Sequence, residues 1–210
     1  MKTKYHIEIT RSVLDKHFET NALEKIIQSN IKQDRLKYQI GHDYIHFDGS
    51  AFEAGFNYIS QNMAMLFESI DKGEFVNAWI ALGRILHSWQ DFYSHSNYVD
   101  LWLEKVKDPG ALIIDPDDSD ILNSPKMQSG KNYGIFELLA LIPGISFLIK
   151  PLMPANSHAK MNLDSPKSGK RFNYAYTAAK KRTEIVIEQI LKQIEHHYGR
   201  ANNVKAFLDK

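Results

Sequence analysis

Between residues 76 and 107 apolar side chains recur every three or four positions, at Ala78, Leu82, Ile85, Leu86, Trp89, Phe92 and Tyr93 and on through Val99, Trp102 and Val106. That is the period of one long helix, or of two joined end to end. Among the largest apolar residues of this run stand His87, Asp91 and His95. Four residues turn an α-helix by about 40° net and advance it about 6 Å, so the three share one face. Neighbours on that face can grip one ion while His95, about 12 Å from His87, serves another. A carboxylate in apolar surroundings needs a partner or a metal.

The helical period returns on both sides of this run. From about 7 to 30 it places Ile9, Val13, Leu14 and Phe18, then Leu23, Ile26 and Ile27, with a break near Thr20 and Asn21. Asn21 with Glu24 has the spacing of a capping pair, and Ser50 with Glu53 repeats it before a run through Phe52, Phe56, Ile59, Met63, Leu66 and Phe67. Between them, 39–49 is aromatic, His-rich and bounded by glycine, which predicts an ordered loop. Asp108-Pro109-Gly110 stops the central run, 115–125 reads as a surface loop, and a last helix is expected over 173–198 with Ala178, Ile185, Val186, Ile190 and Ile194 buried. With no alternating strand, repeat or linker in 210 residues, the expectation is one all-α domain spanning 1–210.

Residues 134–154 are apolar on nearly every side but are cut by Pro143-Gly144. A membrane-spanning helix needs about 20 uninterrupted apolar residues, so the segment is too broken to span. Two readings stand: a buried helical hairpin, or a flap beside the active site whose stretch 135–152 touches lipid or an apolar substrate. The start of the chain is basic without the apolar core of a secretory signal, which points to a cytoplasmic protein as written. A processed secreted chain given a new Met would read the same.

Composition narrows the chemistry. The absence of cysteine removes thiolate zinc fingers, iron–sulfur clusters and cysteine nucleophiles. A formal charge of +1 argues against a domain that holds nucleic acid by bulk charge. Nine histidines leave room for a His/Asp metal site. Beyond the central three, ligand-type residues are His6, Asp34, His46 with Asp48, and His158 with Asn162 and Asp164. Each has a plain alternative: Asp34 solvated, Asp48 capping a turn, Asp164-Ser165-Pro166 opening a loop. His17 and the pair His196-His197 read as surface residues, and His42 is ambiguous. The chain has no phosphate-cradling loop, nucleophile elbow, nicotinamide fingerprint or His-Glu-x-x-His helix.

The run Leu82-Gly83-Arg84-Ile85-Leu86-His87-Ser88-Trp89-Gln90-Asp91-Phe92-Tyr93-Ser94-His95-Ser96-Asn97-Tyr98-Val99 resembles the signature helix of the HET-C-like branch of the zinc-dependent phospholipases C and zinc-dependent single-strand nucleases. His6-x-x-Ile9-Thr10, His46-Phe47-Asp48 and His158 followed by Asn162 and Asp164 occur in the same order. The resemblance implies an all-α phospholipase C-like fold with a cleft for up to three zinc ions. Carried over, Asp34, His46, His87 and Asp91 would hold the first, His95 and His158 with Asn162 or Asp164 the second, and His6 and Asp91 the third. In the enzymes an N-terminal Trp also holds the third ion, where this chain has Met1. Two spacings differ: three residues rather than five separate Asp91 from His95, and Asn162 stands where those enzymes carry an acid. The implied activity is hydrolysis of phospholipid headgroups, or another phosphodiester, by metal-activated water, with Asp34 and Asp91 catalytic. A membrane- or partner-binding module with a structural or vestigial zinc site is the alternative, and a zinc nuclease a further one, disfavoured by the apolar segment.

Overall fold

The computed structural model describes residues 1–39, 41–107, 110, 113–131, 133, 136, 139, 142, 144–198 and 202–209. Those residues form an all-α domain: α1 Thr3–Leu14, α2 Thr20–Lys32, α3 Leu36–Gln39, α4 Asp43–His46, α5 Phe52–Asp71, α6 Phe75–His95, α7 Tyr98–Val106, α8 Ser119–Leu122, α9 Ser146–Leu152, α10 His158–Met161, α11 Lys170–Tyr198 and α12 Asn202–Leu208. Two isolated bridges, Ser96 with Ser129 and Lys131 with Ser157, are the only β pairing among the described residues.

Helix α6 is the axis of the domain, packed by α2, α5 and α11, while α1 lies across α2 and α11. Its apolar residues are buried on more than one side, Leu82, Ile85, Leu86, Phe92 and Tyr93 among them, the mark of a core helix. The helix also buries His87, Gln90, Asp91 and His95. The periodic run over 76–107 resolves into two helices because Ser96 adopts an extended backbone after His95. Helix α7 ends at Val106; residues 108 and 109 of the expected stop signal lie outside the described residues.

Several expectations are corrected by tertiary contacts. Asn21 lies inside α2 and does not cap it. The helix starts from Glu19, which has no side-chain cap and whose N–H donates to the Leu208 carbonyl of α12. Ser50 does not cap α5 either: its N–H donates to Ser129 Oγ and its Oγ accepts from the Ser129 N–H. The loop at 39–49, in which Ile40 lies outside the described residues, folds into α4 and a 3-10 turn over Asp48–Ser50. Phe47 and Ser50 take left-handed φ values of 57° and 58° there, conformations that cost energy and are held by the surrounding packing. Phe47 is clamped among Phe52, Phe56, Trp89 and Phe92, over Gly55, where a Cβ would lie 2.5 Å from the ring.

The stretch 115–125 is more than a surface loop. It contains α8, buries Ile121, and its Pro116 carbonyl accepts from Tyr93 Oη at 2.7 Å and from the Arg182 guanidinium at 2.8 Å. Arg182, buried over the Trp89 ring, also pairs with Asp117. Helix α12 has no counterpart in the sequence reading. It closes the far end of the core, with Phe207 buried and its carbonyl accepting from Trp79 Nε1 at 2.8 Å.

The apolar segment does not form a buried hairpin in its described part. Phe136, Ile142, Ile145, Phe147, Leu148 and Leu152 are exposed, while Met153 is buried. Residues 134, 135, 137, 138, 140, 141 and 143 lie outside the described residues. Among the described residues no helix is long and apolar enough to cross a membrane.

Candidate metal centre

Five elements deliver six ligand-type side chains to one face of α6. Helix α1 brings His6, the end of α2 is followed by Asp34, α4 ends in His46, the 3-10 turn opens on Asp48, α10 opens on His158, and Asp164 follows α10. Two groups result, each with donor atoms within 4.8 Å of one another: His6, Asp34, His87 and Asp91, and Asp48, His95 and His158. His46 joins the first, its Nδ1 2.8 Å from Asp91 Oδ2 and 3.1 Å from His87 Nε2. The two carboxylate oxygens of Asp91 face different neighbours. Oδ2 lies 3.0 Å from His87 Nε2, and Oδ1 lies 3.2 Å from His6 Nε2 and against the Met1 amine.

The polar network behind the cluster decides which ring nitrogens point inward. His6 Nδ1 donates to Gln90 Oε1 at 2.6 Å, which leaves Nε2 a bare acceptor. That atom is buried without a hydrogen-bond partner and is held 3.2 Å from a carboxylate oxygen of Asp91. His87 Nδ1 donates to Asn30 Oδ1 at 3.2 Å, and His46 Nε2 donates to the Tyr38 carbonyl at 3.3 Å. Asn30 and Gln90 are themselves locked: Asn30 Nδ2 donates to Thr10 Oγ1 and Gln90 Oε1, and Gln90 Nε2 donates to Thr10 Oγ1 and Thr183 Oγ1. With the ring protons on those outward nitrogens, His6 Nε2, His46 Nδ1 and His87 Nε2 turn lone pairs toward Asp91; His46 Nδ1, 2.8 Å from Asp91 Oδ2, is the one that can instead donate to it. The Met1 amine already pairs with Asp91, and a cation bound among the ring nitrogens would satisfy the remaining acceptors. Imidazoles whose outer N–H is tied to an amide or carbonyl oxygen are oriented as metal-bound imidazoles are, and a nitrogen and oxygen donor set is one that zinc and other divalent metals accept.

Around the second group, His158 Nδ1 lies 2.7 Å and His95 Nδ1 3.3 Å from Asp48 Oδ1. His95 Nδ1 is also 3.1 Å from the His46 carbonyl, and its Nε2 is 3.2 Å from Asp164 Oδ1. Asp164 thus reaches the cluster, 3.1 Å from the Met1 amine as well. Asn162 caps the end of α10 and gives its carbonyl to Ser168 Oγ. Asp34 sits at the rim, its side chain 20% exposed, accepting from Thr3 Oγ1 at 2.8 Å and 3.9 Å from His87 Nε2.

Charge follows geometry. Burial pushes the His87 imidazole down to about 4 against the pull of Asp91, so at neutral pH it is an uncharged ligand. Burial opposes ionisation of Asp91, but the Met1 amine and His95 outweigh it and hold the carboxyl well below its usual range. His95 and His158 hold Asp48 low in the same way, and the Met1 amine and His95 hold Asp164 low. Burial and the Met1 amine press against a charge on His95, yet Asp91 and Asp48 raise it well above the ordinary histidine value. The Met1 amine, which burial would lower, is raised to about 11 by Asp164 and Asp91.

Asn30, Gln90 and Thr183 escaped the sequence reading as parts of the site, and Asp48, named there as a ligand type beside His46, was assigned to no ion. Asp48 had a signal, its place two residues after His46. Gln90 and Thr183 had only the anomaly of polar groups on apolar helix faces.

Fold and cluster together define the class, an all-α domain built round a buried histidine–aspartate centre. The chain belongs to the VWA7 N-terminal domain family, whose model matches residues 4–123. The matched part holds His6, Asp34, His46, Asp48, His87, Asp91 and His95, and leaves out His158 and Asp164. No curated protein and no solved structure matches the chain.

Proposed function

We propose that this domain is a zinc-dependent phosphodiester hydrolase acting on phospholipid headgroups, of the phospholipase C-like kind that the α6 signature resembles. The observation that carries the reading is the convergence of His6, His46, His87 and Asp91, with a second set of donors alongside. Zinc bound there would lower the pKa of water to about 7 and offset the charge of a phosphate. Asp34 is the general base: it is the one carboxylate of the first group that solvent reaches, so it can orient water and take up its proton. Asp91, fully buried, faces His6 with one carboxylate oxygen and His87 with the other. Gln90 and Asn30 keep the protons of His6 and His87 on the outward nitrogens.

The groove lined by Lys25, Lys32, Arg35 and Arg84 between α2 and α6 favours a second reading, a zinc nuclease, because a polyanion would follow it. Metal content by plasma mass spectrometry, on protein purified without chelator or metal resin, tests the centre. Two to three zinc ions per chain are expected, with His87→Ala and His158→Ala each losing part. Headgroup release from phosphatidylcholine is expected to exceed cleavage of single-stranded DNA. A protein that takes up no zinc when supplied with it refutes the centre, and preference for DNA makes it a nuclease. Vesicle binding without turnover leaves a binding module.

A further inference from the structure

Nine large apolar side chains are exposed among the described residues, and six of them, Phe136, Ile142, Ile145, Phe147, Leu148 and Leu152, fall within 136–152. Such a concentration on a water-facing segment marks a surface for contact with something apolar. The two ends of the excursion are pinned to the metal centre. At the base the Lys131 N–H donates to the Asn156 carbonyl at 2.8 Å and the His158 N–H to the Lys131 carbonyl at 3.0 Å. Gly130, one residue before, donates to the His95 carbonyl and accepts from the Gly49 N–H. A Cβ on Gly130 would come 2.6 Å from His158 Cα. The stem is thus seated on the backbone that carries His95 and His158 and on the residue following Asp48.

Charge says what the apolar surface meets. Over 131–160 the sequence carries Lys131, Lys150 and Lys160 against the single acid Glu137. Lys131 and Lys160 are exposed, and Lys160 Nζ donates to the Pro151 carbonyl at 3.2 Å, fastening the end of α9 to α10. Apolar side chains flanked by lysines match an interface of acyl chains under anionic headgroups.

We infer that the exposed side chains of Phe136, Ile142, Ile145, Phe147, Leu148 and Leu152 form a docking surface that seats the domain on an anionic lipid bilayer and so holds the candidate metal centre at the lipid surface. The inference names the partner of the proposed hydrolase and rests on that reading for its purpose, but docking itself needs no turnover. The test is flotation with phosphatidylcholine/phosphatidylserine vesicles, comparing the wild type, the triple variant Phe147→Asp/Leu148→Asp/Leu152→Asp, and His87→Ala. All three flap positions are exposed, so the triple variant keeps the wild-type melting temperature and zinc content. The wild type and His87→Ala should float, and the triple variant's bound fraction should fall at least about tenfold. A wild type that stays with the protein layer, or a triple variant that floats equally, overturns the inference. So does a wild-type dimer in light scattering that the triple variant dissociates, because a second copy would then cover the flap. Flotation without hydrolysis of any phosphodiester would sink the hydrolase and leave the docking surface standing.

Discussion

Gly83 is the position where a single methyl group tests the link between packing and the metal centre. A Cβ there would press on the Ile26 carbonyl and lie 2.6 Å from Ser29 Cβ and 2.8 Å from the Asn30 nitrogen. Ordinary carbon contacts begin near 3.5 Å, so α2 must retreat from α6 by about 1 Å. Overpacking costs about 1–3 kcal/mol, and backbone neighbours, which cannot rotate aside, put Gly83→Ala at the upper end. Alanine returns about 1 kcal/mol of helix propensity, for a net loss of about 2 kcal/mol. At about 2–4 °C per kcal/mol for a chain of this size, the melting temperature should fall by about 4–8 °C. The same retreat carries Asn30 away from His87, from whose Nδ1 it now accepts at 3.2 Å, beyond hydrogen-bonding reach. Loss of a hydrogen-bond partner that orients a ligand weakens metal binding about 10–100-fold. Calorimetry in chelator gives the first number, and zinc titration against a competing chelator the second. An unchanged melting temperature would refute the close approach of α2 and α6. A lowered one with unchanged zinc affinity would refute the coupling through Asn30.

Two further outcomes follow from the same centre. In chelated protein, His87 is depressed to about 4, so between pH 6.5 and 4 the unfolded chain takes up a proton that the folded one refuses, and about 3 kcal/mol is lost on acidification. His95, raised, acts in the opposite sense: its contribution is full below about pH 6.5 and fades as pH rises, so denaturant midpoints should peak near pH 6.5. A midpoint that climbs steadily from pH 6.5 down to 4 would contradict the burial of neutral His87. Gln90→Leu removes the acceptor of His6 and Asn30 and the donor to Thr10 and Thr183. It should cost about 1–3 kcal/mol of stability in urea unfolding and one zinc site by mass spectrometry, whereas a merely space-filling Gln90 would lose the first and keep the second.

The long helices were legible because each carries a stripe wide enough to show the helical period. Those that were not, α3, α4, α8, α10 and α12, are a single turn or two, too short for a period to register. Their existence depends on distant contacts, such as Trp79 donating to the Phe207 carbonyl. The capping pairs failed for the same reason. Asn21-x-x-Glu24 is a local signal, but the start of α2 is set by Glu19 binding the carbonyl of Leu208. Ser50 was free to pair with Ser129, 79 residues away. The apolar segment was ambiguous because an exposed apolar surface and a buried one have the same composition.

The centre divides along the same line. His87, Asp91 and His95 were readable as a set because the helix itself fixes their register. His6, Asp34, His46 and His158 could be named as ligand types but joined only through the family resemblance, since it is the packing of α1, α2 and the loops against α6 that brings them together. Asp48 shows the limit most sharply. Read alone it caps a turn; in the fold its carboxylate meets His158, 110 positions away, at 2.7 Å. Asn162 or Asp164 was expected to join His95 and His158 at the second site; Asp164 lies against His95, and Asp48 lies against both histidines. A donor supplied from the other side of the cleft leaves the geometry of the site intact while erasing its spacing from the sequence. The left-handed turn at Phe47 is what allows this, since it is the bend that presents His46 to one donor group and Asp48 to the other.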